Sequence, residues 1–386
     1  MSKPHTSNLK LFLLQAALPH PDRQKLEEHL IQVTDWDDTI QNLQQEGILP
    51  FFYQNLKNLD LVHRLPGSAK EKIKERLRRE AMQQLQQDSV FSEIAGLFNQ
   101  RQIPFIPIKG LTLRHKVYSN PSLRPMLDLD LLIKPEDKEK ITSMMKELGA
   151  RQGAGLHSEY LNSLQHHTPP MQYKNTLIEF HTRLFEKTKL YGIPTENPWS
   201  KNQRSIILNK EINILPPETN LVYIAMHAYK HLIRTRFQLI WLTDVCLCLQ
   251  NNTMDWNEVT NLLQTEADKK AFCGMMGLIE ELDQFGFPRE IQSELRPEWT
   301  RETKKALERH LHGEQSNHKH GVINVLGRLD NQGKIKFITS VLFPSPEFMK
   351  KKYKTNNPIL IVILYPWHTI AKIAEGLWYW AMRGKK

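Results

Sequence analysis

The chain has 386 residues, 40% hydrophobic and 24% charged, an ordinary globular composition that excludes disordered, collagen-like and coiled-coil classes and suits two or three domains with cores of their own. Fifty-two Lys and Arg against 42 Asp and Glu give a net charge of +10, which favours anionic partners such as nucleotides, nucleic acid or anionic membrane without choosing among them. Three cysteines, Cys246, Cys248 and Cys273, form no CxxC pair, so a disulfide framework and a zinc finger are excluded and a reducing, cytoplasmic setting is expected.

Leu11 to Leu18 could pass for a short signal core, but no clean small-x-small site follows, and an amphipathic first helix ending at Pro19 is favoured. Apolar spacing predicts helices over Asp22–Val33 and Asp35–Leu43, with Gly47 as a stop and Ile48 opening the next. Ser68–Phe98 reads as one or two exposed helices, and its basic run (Lys70, Lys72, Lys74, Arg76, Arg78, Arg79) as a solvated face. A strand is expected at Ile103–Ile108, a short helix at Leu111–Tyr118, a second strand at Met126–Ile133 and a helix at Pro135–Leu148. Met171–Lys174 and Thr176–Phe185 follow as strands. The order describes a small α/β unit with a mixed sheet. After Pro216-Pro217 the pattern is helical to the end, with breaks at Asn251-Asn252, Gly286-Phe-Pro288 and Gly321. The expected organisation is α+β: a helical region over 1–98, a sheet-bearing domain over 99–215 and a helical region over 216–386. The apolar run Pro358–Trp367 is too short to span a membrane comfortably, since a span needs about 20 residues. A buried helix is favoured there, and a membrane-surface helix over 357–386, with Trp378, Trp380, Arg383, Lys385 and Lys386 at its end, is the alternative.

Arg124-Pro-Met-Leu-Asp-Leu-Asp-Leu-Leu-Ile133 is the sharpest local feature. Residues two apart on a strand share a face, so Asp128 and Asp130 project together from an apolar segment. Two such carboxylates repel and are costly to desolvate unless a divalent cation sits between them or the pair lies at a solvated strand end. Glu179, in Leu177-Ile-Glu-Phe-His181, is a third carboxylate in an apolar strand, and three converging carboxylates can hold two Mg²⁺ ions. Lys109-Gly110 puts a cation and a close-approach backbone at a strand end, ahead of a helix whose amides would face an anion. Asp244 is a candidate counter-charge for the basic helix face at His227–Arg234, and Cys246 and Cys248 read as core.

Together Lys109-Gly110, Arg124-Pro125, Asp128-Leu-Asp130-Leu-Leu-Ile133 and Ile178-Glu-Phe-His181 resemble the uncharacterised bacterial nucleotidyltransferase family of the DNA polymerase β-like superfamily. The likeness runs from about Trp36 to Leu249 and takes in Gly47-Ile-Leu-Pro-Phe-Phe before the sheet and His227…His231…Trp241-Leu-Thr-Asp244 after it. It implies a polymerase β-like domain and transfer of a nucleoside monophosphate from an NTP to an acceptor hydroxyl, with Mg²⁺ or Mn²⁺. Asp128, Asp130 and Glu179 would be the catalytic metal ligands, and Glu179 would polarise or deprotonate the acceptor. The superfamily's Gly-Ser or Gly-Gly turn is Gly110-Leu111 here, so Lys109 would stand in as a point charge on phosphate.

Arg124 could touch the triphosphate or pair with an aspartate, and His181 could line the site or satisfy a buried hydrogen bond. His166-His167 could flank the pocket or lie on a surface loop. His227, Lys230, His231 and Arg234 share one helix face, suited to substrate contact, to polar packing or to a metal. No Walker A, GxGxxG or GxSxG sequence occurs. The acceptor expected is a small molecule, sugar or protein. A silent nucleotide-binding scaffold, an RNA-directed enzyme and a membrane-peripheral protein are the rivals, and nucleic acid is not favoured because no aromatics interleave with the basic run.

Overall fold

The computed structural model describes residues 12–152, 168–185, 197–234, 237–251, 253–283, 285–312 and 331–383. His166, His167 and the break at Gly321 lie outside them, as do the side chains of Arg234, Trp378 and Trp380. The fold is α+β, with 66% of the described residues helical and one five-stranded mixed sheet among them.

Residues 12–17 are helical, and Phe12 meets Phe52 edge-on, with ring centroids 5.3 Å apart. Helices α1 (Arg23–Ile31) and α2 (Trp36–Gln45) start where Asp22 and Asp35 accept hydrogen bonds from first-turn amides. Gly47, at φ +72°, ends α2, and a Cβ there would stand 3.0 Å from Ile240. Helix α3 spans Leu49–Asn58, and Ser68–Phe98 falls within one helix, α4 (Gly67–Gln100). The basic run pairs at the surface, Lys72 with Asp37, Lys74 with Glu71 and Arg79 with Glu75.

Strand β1 (Phe105–Pro107) is antiparallel to β2 (Asp128–Ile133), which is parallel to β5 (Thr176–His181). Beyond β5 lie β4 (Met171–Tyr173) and β3 (Arg151–Gln152), giving the order β1-β2-β5-β4-β3. Leu129, Leu131, Ile178 and Phe180 turn one way, onto Phe91, Ile94 and Phe98 of α4 and Ile141 and Met145 of α6 (Lys138–Glu147). Between β1 and β2 runs the short helix α5 (Gly110–Lys116). Its Arg114 is fully buried and bonds to Asp88 and Gln87 of α4. Leu127, expected inside with its neighbours, is exposed, because β2 begins one residue later.

A hairpin of β6 (Gln203–Ile207) and β7 (Lys210–Ile214) was not anticipated. It turns through Leu208 and Asn209, both at positive φ, and only Asn209 is a turn-forming residue type. The C-terminal helices α7 (Pro217–Arg234), α8 (Leu239–Asn251), α9 (Trp256–Leu262), α10 (Glu266–Asp283) and α11 (Pro297–Leu311) share one apolar cluster with the first three helices and with Ile106 and Leu132 of the sheet. Cys246, Cys248 and Cys273 are buried and free, and burial pushes their thiols up. Three further helices close the described chain, α12 (Asn331–Leu342), α13 (Pro346–Tyr353) and α14 (Pro358–Arg383). No helix among the described residues is long and apolar enough to cross a membrane.

Candidate active site

Because β2 and β5 are parallel with Asp130 opposite Glu179 and Leu132 opposite His181, these side chains share a sheet face with Asp128. That face opens into a cleft of about 470 Å³ between the sheet, α4, α7 and α8. Lys109, on the turn from β1 into α5, sets its Nζ 2.9 Å from Asp130 Oδ1. His181 Nε2 lies 2.6 Å from the same oxygen and 3.7 Å from Glu179 Oε2. Lys109 holds φ 54° and ψ −129°, a strained conformation for a residue with a side chain. The next residue, Gly110, is needed for close approach: a Cβ would stand 3.2 Å from Met126 Cβ and 3.4 Å from Arg124 Nη1. Gly110→Val is expected to cost about 1–3 kcal/mol by overpacking, read as a lower urea midpoint, with Gly110→Ala costing less.

Burial works against the ionised form of Asp130, but Lys109 and His181 outweigh it and hold that carboxyl well below the usual range. Burial and the neighbouring Asp130 charge push Asp128 up. Burial would lower Lys109, yet Asp130 keeps it charged and raises it. One aspartate is thus bonded to its counter-charges, whereas Lys109 and Arg124 only partly offset the penalty on the other.

Ligand atoms of Asp130, Glu179 and His181 lie within 4.8 Å of one another. Asp128, expected with Asp130 as one of the two leading ligands, stands outside this group and lines the cleft beside it. Asp130 and Glu179 bring together oxygen donors of the kind Mg²⁺ or Mn²⁺ takes, with His181 Nε2 against Asp130 Oδ1 and Asp128 beside them in the cleft. The donors present therefore fit such an ion.

Arg124 pairs with neither Asp128 nor Asp130. Its Nε and Nη2 donate to Asp244 at 2.9 and 2.7 Å, and Nη1 donates to the Pro125 carbonyl at 2.6 Å. Asp244, the candidate counter-charge for the His227 face, accepts instead from Arg124 and from the Tyr118 hydroxyl at 2.8 Å. The reason is topological, since α8 carries Asp244 beneath the turn that precedes β2.

His227, Lys230 and His231 do reach the cleft. The His227 and His231 ring centroids are 4.5 Å apart, and Trp241 lies 5.4 and 4.7 Å from them, making an aromatic wall. Two residues escaped the sequence reading. Tyr223, fully buried four residues before His227, has no hydrogen-bond partner for its hydroxyl among the described residues, and it feels the charges of Lys109, Asp130 and Glu179. Its i−4 spacing from His227 was the available signal. Glu80 of α4 lines the cleft, and its Oε2 is buried without a hydrogen-bond partner among the described residues. No signal marks it within a charge-dense helix.

Burial pushes Glu80 up from 4.5 to about 7. The folded protein thus keeps a proton there that the unfolded chain has lost, and stability falls as pH rises across that window. Glu80→Gln is expected to be neutral near pH 4 and to stabilise by about 1–3 kcal/mol above pH 7, checked by thermal melts at both.

The profile of the uncharacterised nucleotidyltransferase family matches residues 32–284, and the chain belongs to that family. It is thereby an enzyme of the nucleotidyltransferase class, acting on a nucleotide and an acceptor, as the motif resemblance implied. No curated protein matches its sequence. Among solved structures it is similar to an antigenic nucleotidyltransferase-like protein from Paracoccidioides brasiliensis, at 14% identity over 54% of this chain and 92% of that one, with a TM-score of 0.35. It is also similar to the antibiotic-resistance factor ANT(2'')-Ia, at 14% identity over 59% and 97% of the chains, with a TM-score of 0.28.

Proposed function

We propose that this protein moves a nucleoside monophosphate from an NTP to an acceptor hydroxyl on a small molecule, sugar or protein, in a reaction that depends on Mg²⁺ or Mn²⁺. The observation that carries the proposal is the register of Asp130 against Glu179, with Asp128 on the same sheet face, at the floor of the cleft. A divalent ion held by Asp128, Asp130 and Glu179 would neutralise charge on the phosphates and the leaving pyrophosphate.

The chain's own groups do the rest. Lys109 and His181 fix Asp130 Oδ1, so the carboxylate is aimed before substrate arrives. His227, His231 and Trp241 offer ring faces on which a base can stack. Lys230 and the Lys109–Gly110 turn supply positive charge and close backbone for the triphosphate, with Arg234 at the end of the same helix. Glu179 takes the acceptor's hydroxyl proton as that oxygen bonds to the α-phosphorus and the bond to pyrophosphate breaks. Arg124 acts indirectly, by holding the turn before β2 through Asp244.

Calorimetric titration with each NTP, with and without Mg²⁺, tests the proposal. Metal-dependent binding that disappears in Asp128→Asn is expected. Binding that survives in the variant removes the metal assignment, and no binding by folded wild type favours a silent scaffold.

A further inference from the structure

The favoured buried placement of Pro358–Trp367 does not hold, and the way it fails points to a partner. Among the described side chains of α14, those of Ile361, Tyr365, His368 and Thr369 pack inward. His368 Nδ1 lies 3.1 Å from Lys352 Nζ and from Tyr353 Oη, Tyr365 Oη donates to the Pro344 carbonyl at 2.6 Å, and Thr369 Oγ1 to the Leu342 carbonyl at 2.9 Å. The opposite side carries Ile359, Val362, Ile363, Trp367, Ile370 and Ile373, with exposures from 47% to 70%. At about 100° per residue these six fall on one continuous arc. An ordinary amphipathic helix buries that arc, whereas α14 docks through its polar side and turns the apolar arc to solvent. An apolar surface of this kind marks a binding face.

Charge decides the occupant. Residues 331–383 hold eight Lys and Arg against two Glu, so they carry +6 of the chain's +10. Lys350 and Lys354 are exposed on and just after α13, close in the chain to the start of α14. A second copy would set like charge against like charge. An apolar arc bearing a tryptophan, on a segment of net charge +6, matches the boundary of an anionic bilayer, where acyl chains take the arc and headgroups take the positive charge. No described helix can span a bilayer, so α14 would lie in its plane. We propose that α12–α14 form a peripheral membrane-binding module for anionic lipid surfaces.

The test is flotation of the full chain with vesicles of phosphatidylglycerol and phosphatidylcholine, and with phosphatidylcholine alone. Wild type is expected to float with the anionic vesicles and to be released as salt rises. The double variant Ile363→Glu/Ile370→Glu is expected to partition at least about tenfold less. Both positions are exposed, so its melting curve should match wild type. The variant Lys350→Glu/Lys354→Glu is expected to lose binding to anionic vesicles in the same way. Equal flotation of wild type and the isoleucine variant, or no flotation of folded wild type, overturns the proposal. So does a dimer in sedimentation equilibrium that the isoleucine variant dissolves, because a second copy then covers the arc.

Discussion

Asp128→Asn is expected to reduce nucleotidyl transfer by about a thousandfold while leaving the fold intact or slightly more stable, and Asp130→Asn to lose both activity and stability. The two aspartates are two residues apart on one strand, yet their surroundings are opposite. Asp128 is half-buried beside the Asp130 charge, and Lys109 and Arg124 only partly offset that, so its ionised form is penalised. An amide of the same size removes that penalty, most visibly above neutral pH. Asp130 is bonded to Lys109 and His181, both largely buried. Without its charge Lys109 is stranded, and breaking a buried pair from one side costs about 3–5 kcal/mol, a large share of a stability of about 5–15 kcal/mol. Lys109→Met added to Asp130→Asn should recover much of that loss without recovering activity. Urea midpoints and initial rates on the three variants and the wild type separate the effects. Equal stability of the two single variants would mean that the Lys109–Asp130 pair is not what holds the floor of the site.

What the sequence made legible was local. Alternation in Asp128–Ile133 showed a strand with two carboxylates on one face, and the structure puts Leu129 and Leu131 on the other. Asp22 and Asp35 marked helix starts, because a short acceptor side chain satisfies first-turn amides. Pairings set by topology were not legible. Asp244 stands 120 residues from Arg124, and nothing in either segment distinguishes that pair from a contact with Asp128 or with the His227 face. The β6–β7 hairpin was missed because its turn has no glycine. In α14 the apolar spacing was plain, but spacing defines an arc and not the direction it faces. That direction depends on whether His368 or Ile370 finds the better neighbours, which only the packed module decides.

The second large effect lies in the pair that topology made. Arg124→Met is expected to cost about 3–5 kcal/mol, because it leaves Asp244 buried without its cation beneath the turn into β2. Arg124→Lys should not rescue it. The guanidinium makes bonds to both carboxylate oxygens and another to the carbonyl of the next residue, Pro125, and a lysine point charge reproduces one of these at best. Burial disfavours a charged Arg124, and the Asp244 carboxylate more than offsets this, so neither partner can be removed alone without exposing that cost. Tyr118, which also donates to Asp244, keeps one hydrogen bond to that carboxylate in place and limits the collapse. The double variant Arg124→Met/Asp244→Leu should therefore be more stable than either single variant, with a coupling energy of about 2–3 kcal/mol in a double-mutant cycle. The double variant should still bind NTP poorly. The pair ties the segment carrying Asp128 and Asp130 to α8, which carries Trp241 in the cleft wall, and Gly110 packs directly against the Arg124 guanidinium. Restored stability with a raised KM for nucleotide would assign the pair to positioning the two walls of the cleft, whereas an unchanged KM would reduce it to a staple of the fold.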